Sequence, residues 1–345
     1  MNSIYKISIK KDISSSETIP SKFYLEDKYF DKSIEHIFKN SWQFLTHSNL
    51  IKNNISPFNF LEDTISEPLI LSKKNNKLKC FSNVCTHRGN ILCSKGSEKK
   101  SIQCSYHGRT FDLNGKMKNM PGFEGVKNFP TKSDNLAKVD LLKWNNFIFC
   151  SLFTGFTIKN ILNDISNRLN YFPFEKIYFD KKRSNTYMID AHWALYCENY
   201  LEGLHVPFVH NGLNSDIDLD SYKTEILENG VLQYTNSKDN KIYAYYYWIF
   251  PNIMFNFYDW GLSINIIEPI NKEKTRIKFL SFPIKGKSQP SNTNSSLEKV
   301  EIEDQNIVKK VQRGIKSSFY NRGRYSVKYE KGVHYFHRLI AKYIN

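Results

Sequence analysis

Between Cys85 and His107 the chain reads C-T-H-R-G-N-I-L-C-S-K-G-S-E-K-K-S-I-Q-C-S-Y-H. It holds two cysteine–histidine pairs, Cys85-x-His87 and Cys104-x-x-His107, with sixteen residues between them. Each pair is short enough for one tight loop, and the gap lets two loops close on a common centre from opposite sides. Two thiolates and two imidazoles suit a [2Fe–2S] cluster in which one iron takes both sulfurs and the other both nitrogens, raising its potential above that of an all-cysteine cluster. Zinc takes the same donors, but zinc modules usually pair cysteine with cysteine and histidine with histidine. One donor of each type on each loop favours the cluster. Gly89 and Gly108 follow the pairs and suit loops whose backbone passes close to the sulfurs.

The surrounding text, F-S-N-V-C-T-H-R-G-N and C-S-Y-H-G-R-T-F-D-L-N-G, resembles the two cluster loops of Rieske non-haem iron oxygenase α subunits. Two positions depart from that pattern. Thr86 stands where many members have Pro, and Arg109 where many have Trp. Neither is a ligand, so they bear on the docking surface for a redox partner rather than on the cluster.

A second constellation lies at 192–210, H-W-A-L-Y-C-E-N-Y-L-E-G-L-H-V-P-F-V-H. His205 and His210 are five apart, a spacing that does not share one face of a regular helix. Pro207 breaks the helical ladder, so the imidazoles can converge from a helix end and the turn after it. Two histidines with one carboxylate form the facial triad of mononuclear iron(II) oxygenases. N-Y-L-E-G-L-H-V-P-F-V-H resembles the iron-binding helix of the same family, most of all its choline monooxygenase-like branch. The resemblance places the third ligand eight residues before the Gln of Q-R-G-like text. That picks Asp304 in V-E-I-E-D-Q-N-I-V-K-K-V-Q-R-G, with Glu303 and Glu301 as its nearest competitors. It also gives Glu202 the place of a carboxylate bridging a cluster histidine to an iron-ligand histidine of the neighbouring subunit. Asn199 and Glu198 are expected beside the site. His334 and His337 fall in the matching C-terminal text but are read as core or interface, not metal ligands.

The chain has 345 residues, enough for two domains. At 40% hydrophobic and 15% aromatic residues it is globular rather than disordered. No apolar run nears the roughly 20 residues of a membrane span, and the N-terminus has no signal-like apolar region. A cytoplasmic protein is expected. Cys80, Cys93, Cys150 and Cys197 show no framework spacing and are read as free thiols. A net charge of +15 is read as a Lys-rich surface bias, with attraction of an acidic electron donor as the alternative. No nucleic-acid recognition module is present.

The fold expected is α+β. Residues 1–40 are read as a flexible N-terminal segment and a helix starting near Asp31. Residues 41–155 are read as a small all-β Rieske [2Fe–2S] domain, and 156–345 as the catalytic mononuclear-iron domain. In the last, helices are expected at 158–172, 298–319 and 332–344, long strands over 230–283 and a polar loop at 285–298. The apolar positions Val300, Ile307, Val308, Val311 and Ile315 give the second of these helices its helical spacing. The resemblance implies a helix-grip (START-like) catalytic domain with a large antiparallel sheet, in a homotrimer. It further implies electrons from NAD(P)H delivered by a reductase or ferredoxin, and O2-dependent hydroxylation of an organic small molecule. Aromatic compounds and quaternary amines are both open as substrates. The run Tyr243, Tyr245, Tyr246, Tyr247, Trp248, Phe250, with Phe255, Phe257, Tyr258 and Trp260, offers either core or a cation–π cage. A Rieske electron carrier without oxygenase activity is the alternative function.

Overall fold

The computed structural model describes residues 6–239, 241–287 and 297–345, so most of the loop expected at 285–298 lies outside the described residues. The chain divides into two compact units. One is Lys39–Gly155, and the other joins the chain up to Phe38 with Phe156–Asn345.

The Lys39–Gly155 unit is β throughout apart from single helical turns. Its strands are β1 (Gln43–His47), β2 (Ile55–Phe60), β3 (Glu67–Lys74), β4 (Lys77–Ser82), β5 (Ser101–Gln103), β6 (Thr110–Asp112), β7 (Met117–Asn119), β8 (Lys138–Trp144) and β9 (Phe147–Ser151). Six form an antiparallel sheet in the order β1-β9-β8-β4-β3-β2, and β5-β6-β7 form a small second one. Asn75 and Asn76, at φ 49° and 60°, make the tight β3–β4 turn, the left-handed pair that matches strand twist. Ile55, Ile70, Phe81, Ile102 and Phe111 bury together with Cys85 and Cys104. The apolar core therefore reaches up to the two cysteine-bearing loops.

The other unit is built on seven antiparallel strands: β10 (Asp180–Ile189), β11 (Ile217–Leu227), β12 (Gly230–Ser237), β13 (Ile242–Ile249), β14 (Ile253–Tyr258), β15 (Gly261–Asn271) and β16 (Lys274–Pro283). Their order is β10-β16-β15-β14-β13-β12-β11. Its helices are α1 (Lys22–Leu25), α2 (Asp27–Lys32), α3 (Lys159–Arg168), α4 (Trp193–Tyr200), α5 (Val206–Val209), α6 (Asn211–Asp216), α7 (Leu297–Gly314) and α8 (Lys331–Ile344). Trp193 and Trp248 pack edge-on against Phe336 of α8, with ring centroids 5.7 and 5.1 Å apart. Aromatic stacking at that point fixes α4 and α8 on the sheet.

Three expectations are corrected. Helix begins at Lys22 and Asp27 rather than near Asp31, and a π-helical turn covers Ser33–Ile37. Residues 6–20 are anchored rather than loose: Ile7 and Ile19 are buried, and the Ile7 N–H donates to Asn345 Oδ1 at 2.9 Å. The helix expected at 298–319 ends at Gly314, and its buried residues are Glu301, Gln305, Val308 and Gln312. Among the described residues no helix is long and apolar enough to cross a membrane.

Candidate metal centres

The two cysteine loops share one backbone design. The Cys85 N–H donates to the Asn90 carbonyl and the Cys85 carbonyl accepts from the Gly89 N–H, at 2.8 and 3.0 Å. The Cys104 N–H donates to the Arg109 carbonyl and the Cys104 carbonyl accepts from the Gly108 N–H, at 2.8 and 3.1 Å. Each turn closes through a glycine four residues after the cysteine, at φ +70° and +74°, where a Cβ would be strained. The loops bring the His87 and His107 rings to 4.7 Å between centroids. Both cysteines are buried and free of disulfides.

Two observations fit a cluster at this spot. His107 Nδ1 is buried without a hydrogen-bond partner, a costly condition that a metal bond relieves. Burial pushes the Cys104 thiol up, but the backbone N–H groups of Tyr106 and His107 and the Asn90 amide outweigh it and hold the thiol below its ordinary pKa. A thiolate is the form that ligates iron. Cys85, His87, Cys104 and His107 therefore converge as a set able to hold the [2Fe–2S] group.

The second centre is assembled from α4, the α5 turn and α7. His205 and His210 flank α5 as its N- and C-terminal caps, with Pro207 in the first turn, where a missing N–H leaves no bond unmade. The ring centroids lie 5.1 Å apart. Glu202 Oε1 contacts His205 Nδ1 at 2.6 Å, and Glu303 Oε2 contacts His210 Nδ1 at 2.8 Å. With both Nδ1 atoms engaged, both Nε2 atoms are left facing Asp304 Oδ1, at 3.6 and 2.9 Å. Ligand atoms of His205, His210 and Asp304 all fall within 4.8 Å of one another. Two imidazole nitrogens and one carboxylate oxygen, each imidazole oriented by a further carboxylate, are the donor set of a mononuclear iron(II) site.

Asn199 donates from Nδ2 to Asp304 Oδ1 at 2.6 Å, so the expected neighbour orients the carboxylate. Glu198 is not part of this group. It accepts from the Tyr24 hydroxyl at 2.7 Å and lies 3.1 Å from the buried His337 Nε2. Glu301 accepts from the Tyr196 hydroxyl and from Gln305 Nε2. Burial drives the Glu301 carboxyl well above its ordinary pKa. Burial works against a charge on His210, but Asp304 and Glu303 outweigh it and hold its pKa above the usual value. The spot attracts positive charge. Gln312, eight residues after Asp304, accepts from the His192 N–H at 2.8 Å and fixes the register of α7 against the start of α4.

A cavity of about 130 Å³ opens beside these residues. Of the aromatic run, Tyr243, Tyr246 and Tyr258 line it, while Tyr247, Trp248, Phe250 and Phe255 are buried core. Tyr200, Tyr222, Asn256 and Asn265 also line it and were not read from the sequence. Their signal was present: Asn256, Ser263 and Asn265 interrupt otherwise apolar strands and are buried. No Lys or Arg lines the cavity among the described residues.

The comparisons with known proteins agree with this geometry. Residues 41–130 match the Rieske [2Fe–2S] domain, and residues 224–345 match the catalytic domain of the ring hydroxylating alpha subunit. Choline monooxygenase of Arabidopsis thaliana, a chloroplastic protein, is 28% identical over 96% of this chain and 84% of its own. The carnitine monooxygenase oxygenase subunit of Escherichia coli strain K12 is 26% identical over 94% of this chain and 93% of its own. The crystal structure of the quaternary ammonium Rieske monooxygenase CntA with L-carnitine superposes with a TM-score of 0.77, at 25% identity over 97% of both chains. The chain is a Rieske oxygenase α subunit, similar over most of its length to choline and carnitine monooxygenases, with a [2Fe–2S] domain and a mononuclear-iron catalytic domain.

Proposed function

We propose that this oxygenase hydroxylates a C–H bond of a quaternary ammonium compound, with iron held by His205, His210 and Asp304 and the cluster by Cys85, His87, Cys104 and His107. The lining of the cavity supports the substrate most directly. Tyr200, Tyr222, Tyr243, Tyr246 and Tyr258 give the cavity an aromatic lining suited to a cation that cannot donate hydrogen bonds, and Glu202 and Asp304 add negative charge. Naphthalene-like substrates gain nothing from those carboxylates. A carboxylate-bearing substrate would meet no Lys or Arg, and residues 288–296 contain none. Choline-like compounds therefore fit better than carnitine-like ones.

When bound, the iron supplies dioxygen activation and the cluster supplies electrons. The chain's own residues do the rest. Glu202 and Glu303 hold the Nδ1 protons, so both imidazoles keep a lone pair at Nε2. Asn199 aims the Asp304 oxygen, and the tyrosines exclude bulk water around the substrate. Glu202, at the outer edge of this group, is the residue we assign to link the site to a cluster histidine of a neighbouring subunit in a homotrimer. A reductase, alone or with a ferredoxin, completes the electron supply from NAD(P)H.

The test is dioxygen uptake and product analysis with a heterologous reductase on choline, carnitine, γ-butyrobetaine and naphthalene. Turnover should be fastest with choline, with a KM for carnitine at least about tenfold higher, the cost of one poorly paired charge of 1.4 kcal/mol or more. Equal turnover of naphthalene would contradict the cationic reading. Reduction of the chain without dioxygen uptake on any substrate would favour the electron-carrier alternative.

A further inference from the structure

Thr86 and Arg109, one on each cluster loop, touch each other. Arg109 Nη1 donates to Thr86 Oγ1 at 2.8 Å and lies 3.3 Å from Asp134 Oδ1, and the Thr86 hydroxyl donates to the Asp134 carbonyl at 2.7 Å. The guanidinium lies over the neighbouring rings of Phe123 and Phe129, its Cζ 5.6 and 5.4 Å from their centroids. Phe123 in turn stands edge-on to His87, 5.4 Å between centroids. Thr86 sits between the two ligands of the first loop, and the Arg109 carbonyl closes the turn of the second. One residue thus ties both loops.

Its charge is poorly shielded. The Arg109 side chain is 2% exposed against 19% for Asp134, so water screens the carboxylate more than the guanidinium. Arg109 Nε is buried with no hydrogen-bond partner among the described residues. A cluster becomes more negative on reduction, and its potential follows the net charge around it. We infer that Arg109 is a positioning residue with a redox role: its buried cation raises the reduction potential of the [2Fe–2S] cluster, and Asp134 partly offsets it. A residue that only braced the loops would respond to geometry and not to the sign of the charge.

The test is an EPR-monitored redox titration of the reconstituted holoprotein, with iron and sulfide content checked in each variant. Arg109→Gln should lower the midpoint by the order of a tenfold change in electron affinity, 59 mV for a one-electron couple. Arg109→Lys keeps the charge and should stay near the native value. Asp134→Asn should move the midpoint the other way, upward. Equal shifts in Arg109→Gln and Arg109→Lys, or a downward shift in Asp134→Asn, would overturn the inference. Should Arg109→Gln fail to retain its cluster, Asp134→Asn decides alone: a rise supports the charge role, and no change or a fall refutes it.

Discussion

At the cluster loops the side chains that would hold the cluster are surrounded by backbone N–H groups, the Asn90 amide and the Arg109 guanidinium. At the His205–His210–Asp304 group they are surrounded by the carboxylates of Glu202 and Glu303. The first region is built to favour extra electrons, the second to favour a bare cation. The means differ as well. The cluster loops repeat one short backbone turn, so their geometry is local. The iron group spans α4 to α7 and is set by side chains that orient other side chains.

That contrast predicts where substitutions bite. The largest effect should come from side chains at the iron group. Glu202→Gln keeps the size but loses the charge that holds His205 Nδ1. Turnover should fall about 10- to 100-fold with the cluster spectrum intact, the range seen when a carboxylate behind a metal-bound histidine is removed. Steady-state kinetics beside the visible spectrum would show it, and loss of cluster colour instead would break the separation between the two regions. A smaller effect should follow from backbone at the cluster. Gly108→Ala forces a side chain onto φ +74° and should destabilise the Lys39–Gly155 unit by about 1–2 kcal/mol. Thermal unfolding of the holoprotein would read it, with the iron ligands untouched.

The same contrast explains what was legible in the sequence. The cluster donors lie in one short stretch, with spacings fixed by covalent geometry, so the chemistry could be read from residue types alone. His205 and His210 were readable because Pro207 rules out a continuous helix. Nothing local separates Asp304 from Glu301 and Glu303; the resemblance picked it. In α7 each residue turns about 100° from the last, so Glu303 backs His210 while Asp304 faces both imidazoles. Strand β11 was not anticipated, because as an edge strand it carries Asp218, Asp220, Lys223 and Glu225 where a central strand carries apolar residues. The polar buried face of α7 was not legible for a related reason: Glu301, Gln305 and Gln312 are buried with partners on α4, on α7 itself and at the start of α4. Burial there follows hydrogen bonding, which apolar periodicity does not report.

The most direct test is the iron and labile sulfide content of anaerobically purified protein, native against Asp304→Asn. The proposed ligand sets predict about three irons and two sulfides per chain in the native protein, falling to about two irons with sulfide unchanged in the variant. About two irons in both proteins would contradict a mononuclear site at His205, His210 and Asp304.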